Sequence, residues 1–303
     1  MMADNPEDDL LSSIMNAYQL RAGVYGHPNF CGQWQFGTSG NRRASFHLVG
    51  RGHCWLHTKL QTAPQPLQGG DLVVFPHDAW HMLAGEKELH GEENRPQMEG
   101  EGPFTTLVCG YFEFLAGNQN PVLDTLPELI VVHREDAGQH LETLGQLMLE
   151  EAQAEGIGTR TVLDKLADTL FVMVVRHHVT RVSDQRGLLA ALADPRLRKA
   201  LAVMHRDAAR DWTLETLAQE AGMSRAAFAQ RFAELVGTTP IDYLTRWRMT
   251  EAELMLRNPQ ISVATAAERV GYETEAAFRK AFKRVHGIGP GAIRRWFRDK
   301  LGG

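Results

Sequence analysis

The last third of the chain writes one helical pattern twice, and this duplication restricts the fold more than any other feature. Gly222, Phe228, Phe232, Gly237 and Pro240 punctuate the run LETLAQEAGMSRAAFAQRFAELVGTTP, and Gly271, Phe278, Phe282, Gly287 and Pro290 punctuate VATAAERVGYETEAAFRKAFKRVHGIGP. From Phe228 to Pro240 each marker recurs 50 residues later. Each copy reads as a short amphipathic helix, a glycine turn, an N-cap (Ser224 or Thr274) and a second helix, which is the grammar of a helix-turn-helix. Aromatic residues four apart share one helix face, so the two phenylalanines of each copy must bury together and leave the opposite face to solvent. That free face carries Arg225, Ala226, Ala229 and Gln230 in the first copy and Glu275, Ala276, Arg279 and Lys280 in the second. Long donors and small apolar groups near a helix N-terminus are what base edges in the major groove accept. One such helix pair is also common in ordinary helical bundles; two copies favour double-stranded DNA as the partner.

Charge separates the chain into two parts. The net charge of −5 over 303 residues conceals 19 Lys+Arg against 12 Asp+Glu from Pro195 onward, and 13 against 25 before it. The basic part contains the duplicated motif, and a positive surface attracts phosphates whatever their sequence. The start MMADNPEDDLL is acidic where a signal peptide would be basic and then apolar, and the most apolar run, FVMVV, is far too short to span a membrane. The three cysteines, Cys31, Cys54 and Cys109, show neither finger nor CxxC spacing, as expected of a reducing cytoplasm. Walker, GxGxxG, HExxH and GxSxG signatures of common enzymes are missing from the sequence.

From about Ala22 to His133 the segments GQWQF, ASFHLVG, HCWLHTKL, DLVVFP and FTTLVCGYFEF read as closely spaced strands, which predicts a barrel or sandwich. Two helices follow, about Gly138 to Glu155 and about Arg160 to Val179, with apolar stripes at Leu141, Leu144 and Met148 and at Leu163, Leu166, Ala167, Leu170 and Val174. The run Phe171 to Val175 is apolar all round, which suits docking on the barrel and on a second subunit; coverage of the barrel alone explains the stripes equally well. The linker is expected at VSDQRG, and the polar stretch Glu86 to Gly102 as a mobile loop at one barrel mouth.

From about Asp194 to Arg298 the chain resembles the DNA-binding domain of the AraC/XylS family of transcription regulators, through WTLETLAQEAGMSRAAF, GTTPIDYLTRWRMTEAELML and ISVATAAERVGYETEAAFRKAFKRVHGIGPGAIRR. The resemblance implies recognition helices at Ser224 to Leu235 and Thr274 to Val285, and a joining helix from Tyr243 to Leu256. Ala266 stands where the family usually has isoleucine, and Gln230 where arginine is frequent. The stretch Gly70-Asp71-Leu72-Val73-Val74-Phe75-Pro76-His77-Asp78-Ala79-Trp80-His81 resembles the second cupin motif, and the sensory cupin of AraC-type regulators carries a histidine and a Cys-Gly at positions matching His47, Cys109 and Gly110. Metal-dependent cupins use an HxH pair with a downstream glutamate; here His53 and His57 have three residues between them and the next acid is Asp71, so the first motif is broken.

These readings give an α+β multidomain chain: a cupin-like ligand-sensing β-barrel over 1–135, a helical pair and linker over 136–187 that could dimerise, and an all-α domain with two helix-turn-helix motifs over 188–303. The expected function is sequence-specific, effector-responsive transcription regulation without catalysis, and family resemblance favours activation through RNA polymerase. Trp34, His47, Trp55 and His81 are candidates to hold a small-molecule effector. His47, His81 and Cys109 are candidates for zinc or another divalent metal, against the plainer reading of hydrogen-bonded barrel histidines and a small apolar cysteine. Alternatives are a metal-dependent cupin enzyme tethered to DNA and a redox sensor working through Cys109, which would need an exposed, acidic thiol.

Overall fold

The computed structural model describes residues 10–98, 104–114, 120, 122–154, 156–181 and 187–301. The chain forms two compact units, one built from Leu20–Glu113 and Leu126–Val182, the other from Ser183–Gly303 together with Phe114–Thr125 and Met1–Gln19.

The first unit is a cupin-like barrel of two sheets. Its strands are β1 (Leu20–Gly26), β2 (Asn29–Cys31), β3 (Gln35–Phe36), β4 (Ala44–Arg51), β5 (His53–Thr58), β6 (Gln65–Gln68), β7 (Leu72–Phe75), β8 (His81–Ala84), β9 (Phe104–Phe114) and β10 (Ile130–Val132). One sheet runs β1-β9-β4-β7-β10 with β2 also on β9, and the other runs β3-β8-β5-β6. Between them lies an apolar core that includes Phe30, Trp34, Val49, Leu56, Val73, Phe75, Leu83 and Leu107.

Strand β4 is buried on both faces from Ala44 to Val49, and its neighbour β9 from Thr105 to Gly110. Alternation explains how. His47 and Val49 face the barrel interior with Cys109, while Phe46 stacks on Phe112 at 4.9 Å and Phe112 meets Phe171 at 4.8 Å. Phe171 belongs to α3 (Thr159–Arg181), which with α2 (Gly138–Ala154) forms the helical pair. A strand covered on both faces reads as a near-continuous apolar run, which is why ASFHLVG lacks a polar face. The edge strand β1 is closed by the same helix: Ala22 and Val24 donate their amides to Asp168 and Asp164 at 2.7 and 3.0 Å. These carboxylates occupy edge amides that would otherwise invite another strand.

The observed helical pair is close to the expected one, with bounds shifted by one or two residues. The expected loop at Glu86 to Gly102 differs: its described part is tied down, since Gln35 Nε2 donates to the carbonyls of Gly91 and Glu93, and the backbones of Gln35 and Arg95 bond reciprocally at 3.1 and 2.8 Å. Its residues 99–102 and the linker residues 182–186 lie outside the described part of the chain.

The second unit holds α1 (Leu10–Tyr18), α4 (Leu188–Ala193), α5 (Pro195–Arg206), α6 (Leu214–Glu220), α7 (Arg225–Val236), α8 (Pro240–Leu256), α9 (Val263–Arg269), α10 (Glu275–His286) and α11 (Pro290–Leu301). Helix α1 has no counterpart in the sequence reading, which placed all of 1–135 in the sensor domain. It buries Leu10, Ile14, Met15, Ala17 and Tyr18, and packs on α5 and α8. Among the described residues no helix is long and apolar enough to cross a membrane.

Candidate nucleic-acid interface

Each helix-turn-helix is assembled by local rules. Thr213 caps α6 and forms a reciprocal capping box with Thr216, and Ser262 caps α9 by accepting from Thr265 N at 3.0 Å. Ser224 and Thr274 cap α7 and α10, accepting from Ala227 N and Ala277 N at 3.3 Å each. Such caps satisfy amides that the first helical turn leaves unpaired. Gly222 and Gly271 take φ of 62° and 80°. At Gly271 a Cβ would also lie 2.2 Å from the carbonyl oxygen of Ala209, so only glycine fits that turn.

Phe228, Phe232, Phe278 and Phe282 are fully buried. In the second subdomain Phe278 and Phe282 share a core with Met249, Ala252, Leu256, Val263, Ala266, Val270 and Ile293. In the first, Phe232 lies edge-on to Tyr243 at 5.7 Å. Tyr243 and Met249 both belong to α8, so one helix contributes to both cores.

With the phenylalanines inside, Arg225, Ala226, Gln230, Ala276, Arg279 and Lys280 are exposed, while Ala229 and Glu275 are partly covered. The long side chains are held in the DNA-free protein. Arg225 Nε donates to Glu215 at 2.9 Å, Gln230 Nε2 to Glu234 at 2.8 Å and Arg279 Nε to Glu275 at 2.6 Å. Exposed pairs of this kind are worth about 0–1 kcal/mol, so exchanging a carboxylate for a base edge or phosphate costs little. The sequence reading missed Glu215 and Glu234 as partners; a glutamate four residues beyond Gln230 was its available signal.

In the barrel, His47, His81 and Cys109 come together with Thr38, which the sequence reading did not single out. His81 Nδ1 lies 2.8 Å from the carbonyl of Ala79, His81 Nε2 lies 3.0 Å from His47 Nε2, and His47 Nδ1 lies 3.0 Å from Cys109 Sγ. Thr38 Oγ1 is 3.3 Å from both Nε2 atoms. The tautomers follow in sequence. A carbonyl only accepts, so His81 Nδ1 carries the proton and its Nε2 accepts from His47 Nε2; His47 Nδ1 then accepts from the Cys109 thiol. Both rings are therefore neutral. Burial lowers His81 to about 4 and holds His47 well below its usual value, with the neighbouring His81 adding to the effect. Burial, with a smaller contribution from Cys54, also pushes the Cys109 thiol far up.

The three candidate ligands thus form a chain, with His47 using opposite ring nitrogens toward its two neighbours. One ion could not take that Nδ1 and Nε2 together, and among the described residues no group of three or more such side chains is arranged to hold a metal. Metal analysis of purified protein is expected to give far less than one ion per chain, with His81→Ala lowering stability and leaving metal content unchanged. A stoichiometric ion lost in that variant would overturn this. The exposed, acidic thiol required of a Cys109 sensor is not what the site provides. Of the other effector candidates, Trp34 is buried and stacked on Phe30 at 4.6 Å, and the partly buried Trp55 has Lys87 over its ring at 5.5 Å. His77, beside the Pro76 turn, lies 2.9 Å by Nε2 from the Leu126 carbonyl. Asp71 of the Gly-Asp turn is an anchor, accepting from Gln68 N and Arg134 N at 2.9 Å each.

Two subdomains, each presenting a capped helix with a solvent-facing row of donors, define a double helix-turn-helix DNA-binding protein carrying a cupin barrel. A Cupin profile matches residues 9–180 and a Helix-turn-helix domain profile matches residues 217–295. A putative AraC-like transcription regulator of Streptomyces lividans is 32% identical over 304 residues, spanning 96% of this chain and 98% of that protein. The RCS-specific HTH-type transcriptional activator RclR of Escherichia coli is 31% identical over 231 residues, covering 75% of this chain and 76% of that one. Among solved structures, the DNA-binding domain of AdpA in complex with a target DNA is 33% identical, covers 35% of this chain and 96% of that chain, and superposes with a TM-score of 0.34. The chain belongs to the AraC-like family of HTH-type transcription regulators, with a cupin domain preceding the DNA-binding one.

Proposed function

We propose that the chain reads DNA in two successive major-groove segments, α7 entering one and α10 the next. Arg225 and Gln230 would supply the long donors of the first, Arg279 and Lys280 those of the second, with Ala226, Ala229 and Ala276 against thymine methyls and Glu275 available to accept from cytosine. The observation that carries this reading is the pair of capped helices whose buried phenylalanines leave these residues facing outward. DNA binding of this kind regulates transcription in the cytoplasm, through RNA polymerase and as an activator, the role carried in the name of the Escherichia coli relative. A small-molecule effector shifts the population competent to bind DNA; of the apolar run 171–175 of α3, Phe171, Val174 and Val175 are buried within the subunit, which leaves only Val172 and Met173 partly exposed for a second one. The protein acts by binding, without catalysis.

The test is to select DNA fragments that copurify with the protein and measure their affinity at fixed salt. Arg279→Ala or Gln230→Ala is expected to weaken specific binding by about 1–3 kcal/mol and leave thermal stability unchanged. Retained operator affinity in both variants would place the reading face elsewhere on these helices.

A further inference from the structure

The two helix-turn-helix subdomains meet at their turns, and Arg248 reaches both sides of the contact. It stands midway along α8, the helix that contributes to both cores. Its Nε donates to the carbonyl of Ala208 at 2.6 Å, and its Nη2 to that of Arg210 at 2.8 Å. Both carbonyls lie in the turn that carries the chain from α5 into α6, the first helix of the first motif. The guanidinium also lies over the ring of Tyr272, 5.9 Å from its centre. Tyr272 directly follows Gly271, the turn glycine of the second motif. Asp207, Asp211 and Glu251 act on the same guanidinium as opposite charges.

Backbone meets backbone at this place. A Cβ on Gly271 would lie 2.2 Å from the Ala209 carbonyl oxygen and 2.9 Å from the Ala209 Cα, so one turn rests directly on the other. Ala209 sits between the two residues whose carbonyls Arg248 takes. The turn does not need Arg248 in order to close. Arg210 N and Trp212 Nε1 donate to the Asp207 carbonyl at 3.3 and 2.8 Å, and Trp212 N donates to that of Arg210 at 2.8 Å. A turn closed by its own bonds is positioned, not built, by the guanidinium, whose rigid planar fork fixes direction as well as distance. From the contact, the route to each recognition helix is short: Tyr272 lies edge-on to Phe278 of α10 at 5.7 Å, and α6 packs on α7.

We propose that Arg248 is a positioning residue for DNA reading: with Gly271 seated on Ala209, it locks the two subdomains at one angle and so sets the spacing of DNA segments the protein accepts. A helix shared by two cores fixes their distance along its axis. Rotation about that axis is opposed only by contacts off the axis, such as this one. Successive major-groove segments on one face of DNA lie about 34–36 Å apart. One inserted base pair moves the second segment by about 3.4 Å along the DNA and also turns it, and locked subdomains cannot follow. The effect on spacing rests on the DNA-reading proposal above; the lock itself does not.

Spin labels on Ala233→Cys in α7 and Lys283→Cys in α10 of the full-length protein, without DNA, measure the separation of the recognition helices. Both positions are exposed, whereas Cys31, Cys54 and Cys109 are buried. The expected result is a narrow distance distribution that broadens in Arg248→Ala. The thermal transition is expected to persist, because Arg248 is partly exposed and water can take the two carbonyls. Arg248→Lys keeps the charge and loses the fork, so it is expected to broaden the distribution too, and it serves should the alanine variant unfold. On the DNA selected above, one base pair inserted between the two segments is expected to weaken binding of the unsubstituted protein by about tenfold or more. Arg248→Ala is expected to cut that ratio to about threefold or less. An unchanged distance distribution in the Arg248 variants would overturn the lock whatever the DNA shows. An unchanged spacing ratio in a variant that still binds the original DNA would overturn its role in reading. Should no bound DNA be recovered, the DNA-reading proposal fails and the distances alone decide the lock.

Discussion

Phe228→Ala and Phe278→Ala are each expected to lower the stability of the helical unit by about 3–5 kcal/mol, the cost of emptying a well-packed aromatic site. Neither ring touches solvent, and each meets its partner four residues on, Phe228 with Phe232 at 5.7 Å and Phe278 with Phe282 at 5.4 Å. The loss should be largest where neighbours cannot collapse into the space. Around Phe278 the small Ala252, Ala266 and Ala267 already set the helix spacing, and none can extend to fill the void. Urea titration followed by helical circular dichroism measures the effect. A change below about 1 kcal/mol in either variant would contradict full burial. The same substitutions abolish DNA binding only by unfolding, which separates them from Arg279→Ala and Gln230→Ala.

Acidification is expected to destabilise the barrel through its two buried neutral histidines, whereas in the helical unit the buried His205 and His286 are opposed by Glu251, whose carboxyl burial raises to about 7. His205 is lowered to about 3 by burial, stacks on Trp247 at 3.7 Å and lies 2.7 Å from the Tyr243 hydroxyl. His81 is lowered to about 4, also mainly by burial, and His47 is lowered further below its usual value than a partly exposed histidine would be. An unfolded histidine takes up its proton near pH 6.5, so between there and the folded values the unfolded chain binds more protons. Stability of the barrel therefore rises with pH across this window and is lost as pH falls. Each of the two barrel histidines contributes a slope of about 1.4 kcal/mol per pH unit, while in the helical unit the slopes of His205 and His286 are offset by the opposite slope of Glu251. Chemical denaturation at pH 7.5, 6 and 5, buffer conditions lying on both sides of the roughly 6.5 midpoint, measures it. Equal stability of the barrel at all three would contradict neutral burial of His47 and His81, and His205→Leu should lower the slope of the helical unit alone.

Much of the DNA-binding unit was legible in the sequence because its determinants are local. Glycine at a left-handed turn, a hydroxyl at the N-cap and aromatic residues at i and i+4 each act over a few residues, and duplication at a 50-residue offset repeats the signal. The strands of the barrel were legible for a similar reason, from their β-branched and aromatic runs. Helix α1 was not: its nine residues are too few to hold a helix in isolation, and packing on α5 and α8 stabilises it. The fixed loop around Gly91 and Glu93 depends on the side chain of Gln35, more than fifty residues earlier, a separation no local pattern encodes.

Composition and spacing by themselves determined that this chain carries two capped helix-turn-helix units with outward-facing donors, and a strand-rich half unlike a metal-dependent cupin. Tertiary structure alone decided the fate of its histidines and the contact between its two turns. His47, His81 and Cys109 could have been ligands on sequence grounds; the carbonyl of Ala79 and the hydroxyl of Thr38 turn them into a neutral hydrogen-bonded chain. Arg248 could have been one more solvated charge on a helix; only the fold sets its guanidinium on the carbonyls of Ala208 and Arg210. The division has one physical cause. Helix turns and caps are set by neighbours in sequence, whereas protonation and hydrogen-bond satisfaction are set by whichever distant groups the fold brings within a few ångströms.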